Sequence, residues 1–182
     1  MPSPPATAIA GRAPLDLIGF QASLRSGRVF GTSGPLFTRF QVEGGEIGDL
    51  VGAYEGRVAV TLEVRAANFV PVDEVRLLVN GEVHRVFKDL PRGDAEPLDY
   101  AVRTTLRLER DAFLTAEAGA PEDVDAIRWA VQHPGLYSEA IAPGFVPQAF
   151  TNPIFVDVDG NGRFDAPGLV DAESGGGASP SR

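Results

Sequence analysis

Between residues 36 and 119 apolar side chains recur at every second position, and no stretch of helical period separates one run from the next. Val58, Val60, Leu62 and Val64 alternate with Ala59, Thr61 and Glu63. Val102, Thr104, Leu106 and Leu108 alternate with Arg103, Thr105 and Arg107. A period of two sends successive side chains to opposite faces of a strand, so each run can bury one face. Leu36 to Val42, Val75–Val79, Val83–Phe87 and Ala112 to Ala118 read as further strands, and Ile154, Val156 and Val158 as the last. Asn80-Gly81 is the dipeptide best suited to a two-residue hairpin, which needs positive φ at both central positions. A parallel βαβ sheet requires crossover helices, and none fits in this span. The pattern predicts a mainly β fold: an immunoglobulin-like antiparallel β-sandwich of about seven strands, preceded by one short helix.

The helix is expected near the start. Leu17, Phe20 and Leu24 fall on one stripe, Pro14 suits the first turn, and Gly27 is placed to cap the end in the left-handed conformation. Gly19 weakens such a helix by roughly 1 kcal/mol relative to Ala, so it needs tertiary support. The expected organisation is a flexible arm over 1–13, the helix and a turn over 14–35, a sandwich domain over 36–170 and a disordered tail over 171–182. A long loop over 120–150 interrupts the strands. Within it Val124, Ile127 and Val131 share a face of a short helical stretch that Pro134 ends.

Charge and donor inventory exclude several classes of function. Lys+Arg total 16 against 25 Asp+Glu, a net charge of −9. No nucleic-acid partner is expected, since that needs a basic face, and no anionic membrane surface. No run approaches the roughly 18 apolar residues of a membrane span, and Met1-Pro2-Ser3-Pro4-Pro5 does not open a secretory signal. A soluble protein is expected. Cysteine is absent and only two histidines, His84 and His133, are present. No transition metal is therefore expected in this chain, because such centres draw on imidazole and thiolate donors.

One motif stands out. Asp157-Val158-Asp159-Gly160-Asn161-Gly162-Arg163-Phe164-Asp165 puts oxygen donors at positions 1, 3, 5 and 9 and Gly at position 6 of a calcium loop. Position 12, where a bidentate Glu belongs, is Gly168, and Asp171 and Glu173 lie beyond it. The incoming segment reads as a strand rather than a helix. Two readings follow: a structural calcium site held by Asp157, Asp159, Asn161 and Asp165, or a Gly-rich turn whose carboxylates are merely solvated. Other groups are bland. Gly31 to Pro35 lacks the Lys of a phosphate loop and reads as a turn. Glu122, Asp123 and Asp125 suit a helix start, with a paired acid/base role as the alternative; Trp129, Tyr137, Phe145 and Phe150 suit packing of the long loop, with a ligand platform as the alternative; and the serines lack a nucleophile-elbow context.

Leu24-Arg25-Ser26-Gly27-Arg28-Val29-Phe30-Gly31-Thr32-Ser33-Gly34-Pro35-Leu36 resembles the end of the catalytic domain in the PHP (polymerase and histidinol phosphatase) superfamily, in its CehA/McbA-like subgroup of metal-dependent hydrolases. Val42 to Asp49, the hairpin Val75 to Glu82 and Phe150 to Gly160 are similar to the β-rich region that follows that domain. The resemblance covers roughly residues 14–170 and lies in the order of the pieces. It implies a phosphoesterase-class family whose catalytic barrel holds metal on histidines and carboxylates, beginning with an early His-x-His. This chain has no His-x-His, and none of the family's metal-ligand motifs falls on a residue here. The resemblance thus implies a non-catalytic accessory module, a truncated or split portion of such an enzyme, with a catalytic PHP barrel as partner in cis or in trans. A free-standing calcium-stiffened binding or adhesion domain, and a hydrolase active by itself, are the alternatives.

Overall fold

The computed structural model describes residues 16–91, 97–119 and 147–166. Among them are one helix, α1 (Leu17–Arg25), and ten strands: β1 (Phe30–Thr32), β2 (Leu36–Val42), β3 (Leu50–Gly52), β4 (Arg57–Ala66), β5 (Glu74–Val79), β6 (Glu82–Phe87), β7 (Leu98–Arg107), β8 (Ala112–Gly119), β9 (Gln148–Thr151) and β10 (Ile154–Asp157). The described residues are mainly β, in two sheets, with no closed barrel among them. The smaller sheet runs β2-β4-β7. In the larger, β8 pairs with β5 on one side, and β5 carries β6 at the edge. On its other side β8 pairs first with β10 and then with β9, which in turn carry β3 and β1.

The alternation seen in the sequence is the burial pattern. Val58, Val60, Leu62, Val64 and Ala66 of β4 are all buried, and they meet Phe37, Phe40 and Val42 of β2, Leu98 and Leu106 of β7, Val75 and Leu77 of β5 and Ala112, Leu114, Ala116 and Ala118 of β8 in one core. Asn80 and Gly81 take φ of 54° and 83°, the left-handed pair of a type I′ turn. Asn80 also exchanges bonds with β8: its N–H donates to the Phe113 carbonyl at 2.9 Å and its Oδ1 accepts from the Phe113 N–H at 3.0 Å.

The structure departs from expectation in three respects. The described residues hold ten strands where the alternation predicts about seven, because β1, β3 and β9 have only three or four residues each, too short for two full periods of alternation. The sheets are not wholly antiparallel, since β3 runs parallel to β10. Both faces of β5 are buried: Arg76, on the face away from the core, places Nε 3.2 Å from Glu74 and Nη1 3.1 Å from Glu117. Buried charges persist only when paired. The short helical stretch expected after Pro121 and the extremities of the chain lie outside the described residues.

Helix α1 begins later than Pro14 suggests. Asp16 is its N-cap, accepting the Gly19 N–H at 2.9 Å. Its end is a Schellman motif: the Arg28 N–H donates to the Ser23 carbonyl at 2.9 Å and the Gly27 N–H to Leu24 at 3.1 Å, with Gly27 at φ 72°. None of its residues is buried.

Candidate functional site

The acidic motif leaves the core at the end of β10. Ile154 and Val156 are fully buried and pin that strand, so Asp157 arrives at a fixed place and is itself 6% exposed. The chain then turns sharply through Gly160 and Gly162, at φ 76° and 81°. Asp157 shapes the turn: Oδ1 accepts the Gly160 N–H and Oδ2 the Gly162 N–H, each at 2.7 Å. Asp159 Oδ1 accepts the Asn161 N–H at 3.0 Å, and Asn161 Oδ1 accepts the Arg163 N–H at 2.9 Å. Phe164 closes the loop back on the larger sheet, its ring 4.9 Å from Phe155 and edge-on to Phe113 at 6.5 Å.

A residue outside the motif completes the arrangement. Asp111, in the turn between β7 and β8, is 6% exposed. Its Oδ1 accepts the Val158 N–H and its Oδ2 the Asp165 N–H, both at 2.8 Å, so it clips the two ends of the loop together. One carboxylate oxygen from each of Asp111, Asp157 and Asp159 lies within 4.8 Å of the others. No Arg or Lys among the described residues pairs with any of the three. The Gly162 N–H foremost, with Gly160, Asp159 and Asn161, holds the Asp157 carboxyl below its ordinary 3.8, against the opposing effect of burial.

The structure therefore brings together Asp157 and Asp159 of the expected set and adds Asp111. Asn161 and Asp165 stand differently. The Asn161 Nδ2 donates to Asp159 Oδ2 at 3.2 Å and to Asp165 Oδ2 at 2.7 Å, acting as a neutral bridge between two carboxylates rather than offering its oxygen. In sequence Asp111 shows only as part of a tight connection, and nothing marks it as a neighbour of residues so much further along. Oxygen donors alone, at this spacing, suit a hard cation such as calcium, whose ligands sit about 2.3–2.6 Å from the ion. They supply no imidazole or thiolate donor.

The remaining candidates do not converge here. His84 lies exposed on the edge strand β6. Phe150 of β9 is exposed and its ring lies over Gly31 of β1, where an added Cβ would come within 2.5 Å of it. Ser33 belongs to the turn after β1, its Oγ accepting the Gln148 N–H at 3.0 Å. His133, Glu122, Asp123, Asp125, Trp129, Tyr137, Phe145, Gly168, Asp171 and Glu173 lie outside the described residues. No helix among the described residues is long and apolar enough to cross a membrane.

A second feature is apolar. Leu17, Ile18, Phe20 and Leu24 of α1 are 55%, 82%, 53% and 48% exposed, with Phe30 of β1 following at 38%. Helices shorter than about 12–15 residues are marginal in water without packing on one face. No family model, no curated protein and no solved structure matches the chain.

Proposed function

We propose that this chain is a non-catalytic β-sandwich module that docks through helix α1 onto a catalytic body of the PHP-type metal-dependent hydrolase class, linked or separate. The observation that carries the reading is α1 itself: a nine-residue helix that buries none of its residues. Burial of a large apolar side chain contributes roughly 1.5–3 kcal/mol, so covering the stripe of Leu17, Phe20 and Leu24 supplies the stabilisation that the helix lacks alone. The resemblance of Leu24 to Leu36 to the end of a PHP catalytic domain supports a barrel as the cover.

The strand order supports an immunoglobulin-like sandwich. With β2, β4, β5, β6, β7, β8 and β10 as its successive main strands, the first, second and fifth form one sheet and the fourth, third, sixth and seventh the other. β1, β3 and β9 then extend its edges.

In this reading the Asp157–Asp165 loop is a structural calcium site, with Asp111, Asp157 and Asp159 as ligands. Calcium neutralises three clustered carboxylates and stiffens the corner that carries β10; it takes no part in bond breaking. The test is direct binding. A PHP-type barrel expressed without its own β-rich region is mixed with this chain and examined by sedimentation. A stoichiometric complex, abolished by Phe20→Glu, is expected. Absence of a complex with the native chain would overturn the docking assignment.

A further inference from the structure

Three pieces of backbone meet at the end of α1. The cap turn Ser26–Val29 follows the helix, the turn at residues 46–49 precedes β3, and the corner Asn152-Pro153 separates β9 from β10. Asn152 grips the cap turn twice: its Nδ2 donates to the Gly27 carbonyl at 3.1 Å and its backbone N–H to the Val29 carbonyl at 3.3 Å. Across the joint, the Gly48 N–H donates to the Pro153 carbonyl at 2.8 Å and the Phe155 N–H to the Asp49 carbonyl at 2.9 Å. Asp49 joins the first and second pieces, Oδ1 lying 2.7 Å from Arg28 Nη2 while Oδ2 accepts the Glu46 N–H at 2.9 Å. Gly48 permits the approach. A Cβ there would sit 2.2 Å from the Ser26 carbonyl oxygen, and its φ of 89° suits glycine.

We infer that Gly48 and Asn152 form a rigid joint that fixes the direction of α1 on the sandwich. The functional consequence rests on the docking proposed above: a body seated on α1 is held at one orientation instead of swinging on a tether. Arg28 and Asp49 are partly exposed, with side chains 53% and 31% accessible, and an exposed ion pair contributes little. The close backbone contact at Gly48 and the Asn152 bonds therefore carry the joint. They are positioning residues, and none belongs to the acidic loop.

The joint is tested on the full chain without any partner, so its failure is distinct from failure of docking. Amide ¹⁵N relaxation of Gly27, Arg28 and Val29 is expected to give order parameters of about 0.85, the value of rigid backbone. Their residual dipolar couplings are expected to fit the same alignment tensor as β4 and β8. Gly48→Ala should lower the order parameters of the cap turn below about 0.6 and spoil the shared tensor, while Val60 and Leu62 stay unchanged. Asn152→Ala, which introduces no clash, should do the same at Gly27 and provides the test if Gly48→Ala fails to fold. Asp49→Asn should leave the tensor shared. A mobile cap turn in the native chain, or an Asn152→Ala variant as ordered as the native chain, would overturn the joint.

Discussion

Replacing Asp111 separates its structural role from the calcium-ligand role proposed for it. The side chain is buried and each oxygen accepts one backbone N–H, from Val158 and from Asp165. Asp111→Ala leaves two amides without an acceptor. An unsatisfied buried donor costs about 1–3 kcal/mol, and water can enter this partly open loop, so the lower part of that range applies. The expected loss is about 2–4 kcal/mol for the two amides. In a chain of this size that corresponds to a fall in Tm of roughly 4–16 °C. Asp111→Asn keeps one acceptor oxygen and should lose about half as much. Urea unfolding followed by circular dichroism measures both, with the slope unchanged if only the native state is affected. Calcium supplies the second arm. At a free concentration about 100 times Kd, a ligand confined to the folded state stabilises it by about 2.7 kcal/mol. The native chain should show that gain and Asp111→Ala should not. An alanine variant within about 0.5 kcal/mol of the native chain would refute the clip, and an equal calcium gain in both proteins would refute the ligand assignment.

Acid should destabilise the chain through two separate carboxyls, one in this corner and one beside the cap turn of α1. The carboxyls of Asp157, held by the Gly162 N–H, and Asp49, held by the Glu46 N–H and then Arg28, lie below their ordinary 3.8 in the folded state. Their contribution is therefore complete above that value and lost as pH falls through the lower folded pKa. Urea midpoints measured from pH 6 to pH 2 should drop most steeply below about pH 4, and Asp157→Asn should flatten that drop; an unaltered profile in the variant would contradict the assignment. Leu62→Ala, which empties a fully buried site in β4, should cost about 2–5 kcal/mol by urea unfolding. Paired Ile18→Glu and Phe20→Glu substitutions should leave the unfolding free energy from urea titration within about 0.5 kcal/mol of the native chain and reduce dye binding to exposed apolar surface. A large loss of stability would show that α1 already packs on the sandwich.

The parts of the fold that could be read in the sequence are those where one face alone decides the pattern. β4 and β7 run for ten residues each, long enough for alternation to declare itself. Asn80-Gly81 and Gly27 were legible because backbone conformation restricts the residue type. β1, β3 and β9 were not, since they exist through their pairing with β9, β10 and β8 and not through a pattern of their own. β5 obscured its environment for the opposite reason: Glu74 and Arg76 look like a solvent face but are buried, as an ion pair. The acidic loop was half legible. Spacing exposed Asp157 and Asp159, which lie in one turn. Asp111 reaches them only because β8 pairs antiparallel with β10, placing Ala112 opposite Val156. Asn161 has the right residue type for a ligand, but its amide is turned to bridge Asp159 and Asp165.

The proposal that another body carries out the chemistry follows from the donors present: two histidines and no cysteine in the sequence, and a cluster of Asp111, Asp157 and Asp159 among the described residues. Its most direct test combines elemental analysis with a phosphoesterase assay on the purified chain, after incubation with manganese or zinc and removal of the excess. No stoichiometric transition metal is expected, and no hydrolysis of p-nitrophenyl phosphate above the rate of buffer alone. One retained manganese or zinc ion per chain, accompanied by saturable turnover that chelation abolishes, would contradict it.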